Sequence, residues 1–351
     1  MTLDDPAALR AADPGGMLDA VVALPDQWRE GHRRGRSGSD LPSGDGVTAI
    51  VVAGMGSSAL VGDVVVALAA PRLRMPVVVV RTPELPELCG PHTFVLASSY
   101  SGETAETLAL FEEAVRRGCR IVALASGGEL VRRAEELDIA RVVVPGGLMP
   151  RAAFGSMAGG GLGALEAAGL LPNLGDDLEE AIREMRGVIA TSGPEIPTAA
   201  NPAKTLVSSI GHRTPVVWGA EGIGFVAATR WKTQLNENAK VPAFAAAMPE
   251  LDHNEVVGWS DGRAADVVVI ALRHDGEHPD VAARFEPSSE IVREAGGIVL
   301  DVWAGGRSPL ARLLTLVLTG DLVATYLGIA RGVDPSPIDA IARLKRAMAE
   351  P

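Results

Sequence analysis

The run Val47-Thr48-Ala49-Ile50-Val51-Val52-Ala53-Gly54-Met55-Gly56-Ser57-Ser58 decides how this chain folds. Val47–Ala53 is short, apolar and rich in β-branched residues, the pattern of a strand buried on both faces. Two glycines then turn the chain, and Ser58–Ala69 continues with the pattern of a helix. A strand that passes through glycine into a helix opens a βαβ unit, whose strands pair in parallel.

The same alternation continues outward from this run. Pro76–Arg81, Thr93–Ser98, Cys119–Ala125 and Ala140–Val144 read as strands, with helices over Glu103–Arg117, Glu129–Leu137 and Met157–Leu171. Asp176–Ile189, charged and helical in period, reads as a bridge. The second half repeats the plan, with strands at Pro215–Gly219, Ala265–Leu272 and Gly297–Val302. Its helices fall at Ile223–Asn236, Val281–Ala295, Ser308–Leu327 and Pro337–Ala349. Ahead of the first strand, Met17–Glu30 reads as a helix and the Gly/Ser-rich stretch His32–Asp40 as a loop. The expectation is an α/β chain of two domains, residues 1–172 and 173–351, each a parallel sheet covered by helices. Val51-Val52-Ala53-Gly54 aligns with Val216-Val217-Trp218-Gly219 at an offset of 165 residues, which suggests a degenerate duplication. Glu221 takes the place of Gly56 in the second copy. A carboxylate there repels an anion, so only the first copy is expected to bind phosphate.

With 351 residues, 47% of them hydrophobic and only 4% aromatic, the chain has room for two cores built from Ala, Val and Leu. A net charge of −12 excludes the broad basic footprint that nucleic acid or an anionic membrane requires. Cys89 and Cys119 make neither a disulfide framework nor a zinc pattern. The start, with Asp4, Asp5 and Asp13 and no apolar run, does not read as a signal peptide. Leu310–Ile329 is apolar but contains Arg312 and Asp321, so it reads as a buried helix rather than a membrane span. These features predict a soluble, cytoplasmic protein.

Gly54-Met55-Gly56-Ser57-Ser58-Ala59 lies where a strand ends and a helix begins, a place whose free N–H groups and dipole attract anions. Ser98-Ser99-Tyr100-Ser101-Gly102-Glu103-Thr104 follows a later strand in the same way, and its hydroxyls can donate to phosphate oxygens. Either loop alone is ordinarily a helix cap. Together, outside the carboxyl ends of parallel strands, they predict a phosphate site. Gly54-x-Gly56-x-x-Ala59 also satisfies a dinucleotide fingerprint. The second strand, however, ends in Arg81 rather than the acid that holds an NAD ribose. Arg81 leaves an NADP-dependent dehydrogenase open as an alternative, in which the Ser-Gly-Glu-Thr loop has no part.

Trp231-Lys232-Thr233-Gln234-Leu235-Asn236-Glu237-Asn238-Ala239-Lys240, followed by Glu250-Leu251-Asp252-His253-Asn254-Glu255, places a carboxylate and an imidazole 16 residues apart among amides and charges. A carboxylate in a low-dielectric site suits carbon-proton abstraction, and histidine suits ring opening of a sugar. A guanidinium suits the enediolate that forms between those steps. The other histidines, His32, His92, His212, His274 and His278, are scattered without metal-binding spacing.

This block, the Ser-x-Ser-Gly-x-Thr loop and the stretch Gly320–Ile338 resemble the bifunctional phosphoglucose/phosphomannose isomerases, a branch of the sugar-isomerase (SIS) domain proteins. The resemblance runs over roughly the whole chain. It implies two flavodoxin-like, doubly wound SIS domains with mainly parallel sheets and C-terminal helices. It implies that Gly56, Ser57, Ser58, Ser99, Ser101 and Thr104 take the phosphate of a hexose 6-phosphate. Glu237 would be the base moving a proton between C2 and C1, Arg151 the enediolate stabiliser, and His253 the ring opener assisted by Lys345. The reaction implied is a metal-independent, cofactor-free interconversion of glucose 6-phosphate, and mannose 6-phosphate, with fructose 6-phosphate. A homodimer is implied too, with the histidine arriving from the neighbouring chain. The branch usually has Asn where this chain has Glu103, whose side chain is therefore expected to point away from the anion. Two other readings stand beside this one: a sugar-phosphate sensor without turnover, and an isomerase of a different sugar phosphate.

Overall fold

A computed structural model describes residues 3–69, 73–260, 262 and 264–349, apart from the side chains of residues 342, 345 and 349. Five strands form the first sheet: β1 (Ala49–Gly54), β2 (Val77–Val80), β3 (Thr93–Ser98), β4 (Arg120–Ala125) and β5 (Ala140–Val143). Their order is β2-β1-β3-β4-β5, and every neighbouring pair is parallel. Four more form the second sheet: β6 (Thr214–Ala220), β7 (Phe244–Met248), β8 (Val267–Arg273) and β9 (Ile298–Trp303). Their order is β7-β6-β8-β9, again all parallel. Each sheet begins in its interior, steps to one side, then returns and proceeds the other way. This is the doubly wound order of flavodoxin-like folds, and β6 holds in the second sheet the place that β1 holds in the first.

β1 and β3 are buried at every residue, which is why their sequences are continuously apolar rather than alternating. Val51, Val95, Phe111, Ala123 and Leu130 pack together on one face of that sheet. On the second sheet, Trp218, Met248, Val269, Phe285 and Val292 do the same. The chain divides into two compact units. One comprises Ala23–Arg186 and Gly305–Thr315; the other comprises Met1–Val22, Gly187–Ala304 and Leu316–Pro351. The helix Pro309–Ala330 is buried over 89% of its apolar window, so its hydropathy belongs to a core helix.

Several expected elements are corrected. His32–Arg36 is not a loop: the helix Leu24–Arg36 runs through it. Arg33 and Arg34 both pair with Glu30, at 2.8 and 2.6 Å, as neighbours on a helical turn do. Gly31 and Gly35 serve close packing, since a Cβ on either would lie 2.4 Å from Ser156 O or 2.2 Å from Gly160 O. The expected helix Met17–Glu30 is two, Met17–Val22 and Leu24–Arg36, the second opening on Pro25 at its first turn. Val281–Ala295 likewise divides into Pro279–Ala282 and Phe285–Glu294. β7, which reads Phe-Ala-Ala-Ala-Met, has too little β-branching to be legible as a strand.

Candidate active site

In a sheet ordered 2-1-3-4-5 the chain leaves β1 and β3 in opposite directions, and a crevice opens between them at their carboxyl ends. The register sets Gly54 beside Ser98, so the two loops expected to bind phosphate start side by side. The first turns at Gly56, whose φ of 54° favours glycine, and enters the helix Ser57–Ala69. The first turn of that helix leaves N–H groups for an anion. Gly56 is exposed, Ser57 half-buried and Ser58 buried. Ser58 Oγ accepts a hydrogen bond from Tyr100 N at 3.2 Å, and Ser98 Oγ donates to Ser58 O at 3.1 Å, so Ser58 joins the two loops.

Within the second loop, Ser99 Oγ donates to Thr104 Oγ1 at 2.9 Å, and Ser101 Oγ accepts from Glu103 N at 3.2 Å. The hydroxyl oxygens of Thr104 and Ser101 are thus engaged as acceptors, leaving each its own proton to donate. Glu103 does not face this group. Its Oε1 accepts from Glu129 N at 2.9 Å, at the amino end of the helix Gly128–Glu136, where a carboxylate is favoured. Arg81, the residue that kept an NADP reading open, is paired with Asp63.

Arg151 lies in the same unit, in the turn that leads from β5 into the helix Phe154–Ala167, and is 2% exposed. The turn is closed by Ala152 N and Ala153 N, which donate to Met149 O at 2.8 and 3.1 Å. Tyr100, which sequence reasoning passed over, connects the loop after β3 to the segment before that turn. Its hydroxyl donates to Pro145 O and accepts from Leu148 N.

Glu237, His253 and Lys345 belong to the other unit. Glu237 is the last residue of the helix Ile223–Glu237 and is half-buried. The amides around it hold the turn that follows. Asn236 Oδ1 accepts from Ala243 N at 2.9 Å, and Asn238 Nδ2 donates to Thr325 Oγ1 at 3.4 Å. Lys240 adopts a left-handed φ of 56°; its ammonium donates to Glu237 O, and to Pro335 O at 3.0 Å. A lysine here can satisfy carbonyls that the end of a helix leaves open.

His253 ends the short 3-10 turn Glu250–His253 that follows β7, and it is exposed. Asp252 accepts from Ser288 Oγ at 2.7 Å, and Glu255 accepts from Trp218 Nε1 at 2.8 Å. Burial pushes the Glu255 carboxyl above the ordinary carboxylate range, against the stabilising Trp218 hydrogen bond. Glu237 and His253 are not brought together in one chain. The helix Ile223–Glu237 leaves the carboxyl end of β6 and returns to the amino edge of the second sheet, where Glu237 sits. β7 then runs back, and His253 follows at the carboxyl edge. The five residues of β7 alone span roughly 17 Å.

Lys345 falls in the helix Asp339–Ala349, and its side chain lies outside the described residues. Glu221 follows β6, is exposed, and donates its N–H to Met248 O at 2.9 Å. Among the described residues no group of three or more His, Cys, Asp or Glu could hold a metal ion.

Residues 199–348 match the family described as the bacterial phospho-glucose isomerase C-terminal SIS domain. A bifunctional phosphoglucose/phosphomannose isomerase of Caldicellulosiruptor bescii is 33% identical over 336 residues, covering 95% of this chain and 99% of the relative. The protein of the same name from Aquifex aeolicus is 33% identical over 301 residues, 85% of this chain and 90% of its own. Among solved structures, a hypothetical protein of Thermus thermophilus superposes with a TM-score of 0.70 at 21% identity, covering 98% of this chain and 94% of that one. The C-terminal domain of glucosamine-fructose-6-phosphate aminotransferase from Francisella tularensis superposes at 0.69 and 15% identity, covering 92% and 98%. Those two likenesses concern the fold alone.

Proposed function

The chain belongs to the bifunctional phosphoglucose/phosphomannose isomerase family, and we propose that it interconverts glucose 6-phosphate and mannose 6-phosphate with fructose 6-phosphate. The observation that carries this reading is the pair of loops that start side by side at the carboxyl ends of β1 and β3. Both loops offer hydroxyls and glycine, and the carboxylate of Glu103 is turned to a helix end. Such a cradle takes a phosphate through neutral donors despite the net charge of −12. In this reading Gly56, Ser57, Ser58, Ser101 and Thr104 hold the 6-phosphate, and Ser99 takes part by holding Thr104 through its hydroxyl.

The reaction moves a proton between C2 and C1 through an enediolate shared by both aldoses. Glu237, fixed at the end of its helix by Asn236, Asn238 and Lys240, carries that proton. Arg151 keeps its charge at any working pH and offsets the negative charge that grows on the enediolate oxygens. His253 opens the sugar ring, with Lys345 assisting. Glu237 and His253 occupy opposite edges of the second sheet, so in this reading a substrate that meets both draws them from two chains. That separation supports a homodimer in which each site takes its histidine from the partner.

The test is incubation of purified, chelator-treated protein with each aldose 6-phosphate, following fructose 6-phosphate. Turnover of both, undiminished by chelation, is expected. Failure with both would leave a binding protein or an isomerase of another sugar phosphate. Loss of activity in chelator, restored by zinc, would overturn the metal-independent mechanism.

A further inference from the structure

We propose that Tyr100 is a positioning residue, whose hydroxyl sets the Arg151 loop against the phosphate loop. The inference rests on the reading that gives Arg151 the enediolate. Tyr100 stands between Ser99 and Ser101, and its side chain is turned inward, 5% exposed. The hydroxyl donates to Pro145 O at 3.1 Å and accepts from Leu148 N at 3.0 Å. These two partners bracket Gly146 and Gly147, the latter at a φ of 92°. Two successive glycines leave a loop with wide conformational freedom, and Arg151 is only three residues beyond Leu148. The phenol closes that loop at both ends with one oxygen.

The backbone of Tyr100 is fixed as well. Its N–H donates to Ser58 Oγ at 3.2 Å, and its carbonyl accepts from Ser126 N at 2.8 Å and Ser126 Oγ at 2.6 Å. One residue therefore joins the turns that follow β1, β3 and β4 to the segment leading from β5 towards Arg151. Packing alone would be met by phenylalanine, since the ring fills the same space. The oxygen is what a packing role does not explain. A guanidinium must be placed where charge develops, and small displacements of such a group are costly: about 1 Å can lower a rate 10²-fold.

Tyr100→Phe separates the hydroxyl from the ring. In the full chain without substrate, amide hydrogen exchange at Leu148 should become faster by about ten-fold or more, with β1 and β3 unchanged. With glucose 6-phosphate, kcat should fall about ten-fold while KM moves by less than about three-fold, because the phosphate hydroxyls stay in place. In an Arg151→Ala background the same substitution should change kcat by less than about two-fold, because the two groups act as a unit. Unchanged exchange at Leu148 would overturn the clasp. An equal loss of kcat in both backgrounds would overturn its action through Arg151. A wild-type chain inactive on every hexose 6-phosphate would instead sink the isomerase reading, and exchange at Leu148 would still decide the clasp.

Discussion

Arg230 meets Asp321 in a two-pronged ion pair, Nε to Oδ1 at 2.9 Å and Nη2 to Oδ2 at 2.8 Å, with side chains 1% and 2% exposed. The pair ties the helix that ends in Glu237 to the buried helix Pro309–Ala330, beside Trp231 Nε1, which donates to Leu316 O at 2.8 Å. A charge buried this deeply is tolerable only with its partner.

Asp321→Asn should therefore lower the free energy of unfolding by about 3–5 kcal/mol, because the guanidinium is left uncompensated. Replacing both residues with apolar ones of similar size should cost less than either single change. Urea denaturation followed by circular dichroism measures both, and a double variant less stable than each single one would contradict the account.

The phosphate loops give a second expectation. Thr104 Oγ1 and Ser101 Oγ already accept hydrogen bonds inside the loop, so in the proposed reading their protons go to the phosphate. Thr104→Val and Ser101→Ala each remove one such donor, worth on the order of 1–3 kcal/mol. KM for the 6-phosphate sugars should rise roughly ten-fold or more per position with kcat little changed. Steady-state kinetics decide this, and an unaltered KM would remove these hydroxyls from the phosphate site.

Glu255 supplies a pH dependence. Its folded pKa is raised above the ordinary 4.5 by burial, so its contribution is fully present below that value. It is lost as pH rises through the raised folded pKa, where burial begins to oppose a charge. Glu255→Gln keeps an acceptor for Trp218 Nε1 and cannot ionise. The variant should gain stability relative to wild type as pH rises from about 4 to 8. Denaturation midpoints across that series measure the effect; a gap that stays constant would contradict it.

Much of the fold was legible because a doubly wound sheet announces itself through apolar strands alternating with helices. Thr93–Ser98 is read to the residue. What failed to show has a physical cause in each case. β7 is nearly all alanine on the edge of its sheet, so neither branching nor period marks it. Gly31 and Gly35 look like loop formers, yet they sit inside a helix because another backbone approaches there. The candidate residues stood out by type, while the groups that place them did not. Tyr100 and Lys240 act through backbone carbonyls and amides distant in sequence, and no spacing encodes those partners.

The separation of Glu237 from His253 leads to the most discriminating experiment. Proton abstraction at C2 is needed for every form of the substrate, so Glu237→Gln should abolish turnover of open-chain and cyclic sugar phosphate alike. It should also stop exchange of the C2 proton with solvent. Ring opening is needed only for the cyclic form, so His253→Ala should slow cyclic substrate by about 10²–10⁴-fold, the range of one acid/base group. An open-chain phosphate analogue should lose much less. Because the two residues lie at opposite edges of one sheet, the proposed site draws them from different chains. A heterodimer of one Glu237→Gln chain and one His253→Ala chain then holds one site with both lesions and one with neither. Mixing the two inactive proteins should restore activity, approaching half the wild-type rate per verified heterodimer. Equal damage to cyclic and open-chain substrates would refute ring opening by His253. Verified heterodimers that stay inactive would refute the shared site.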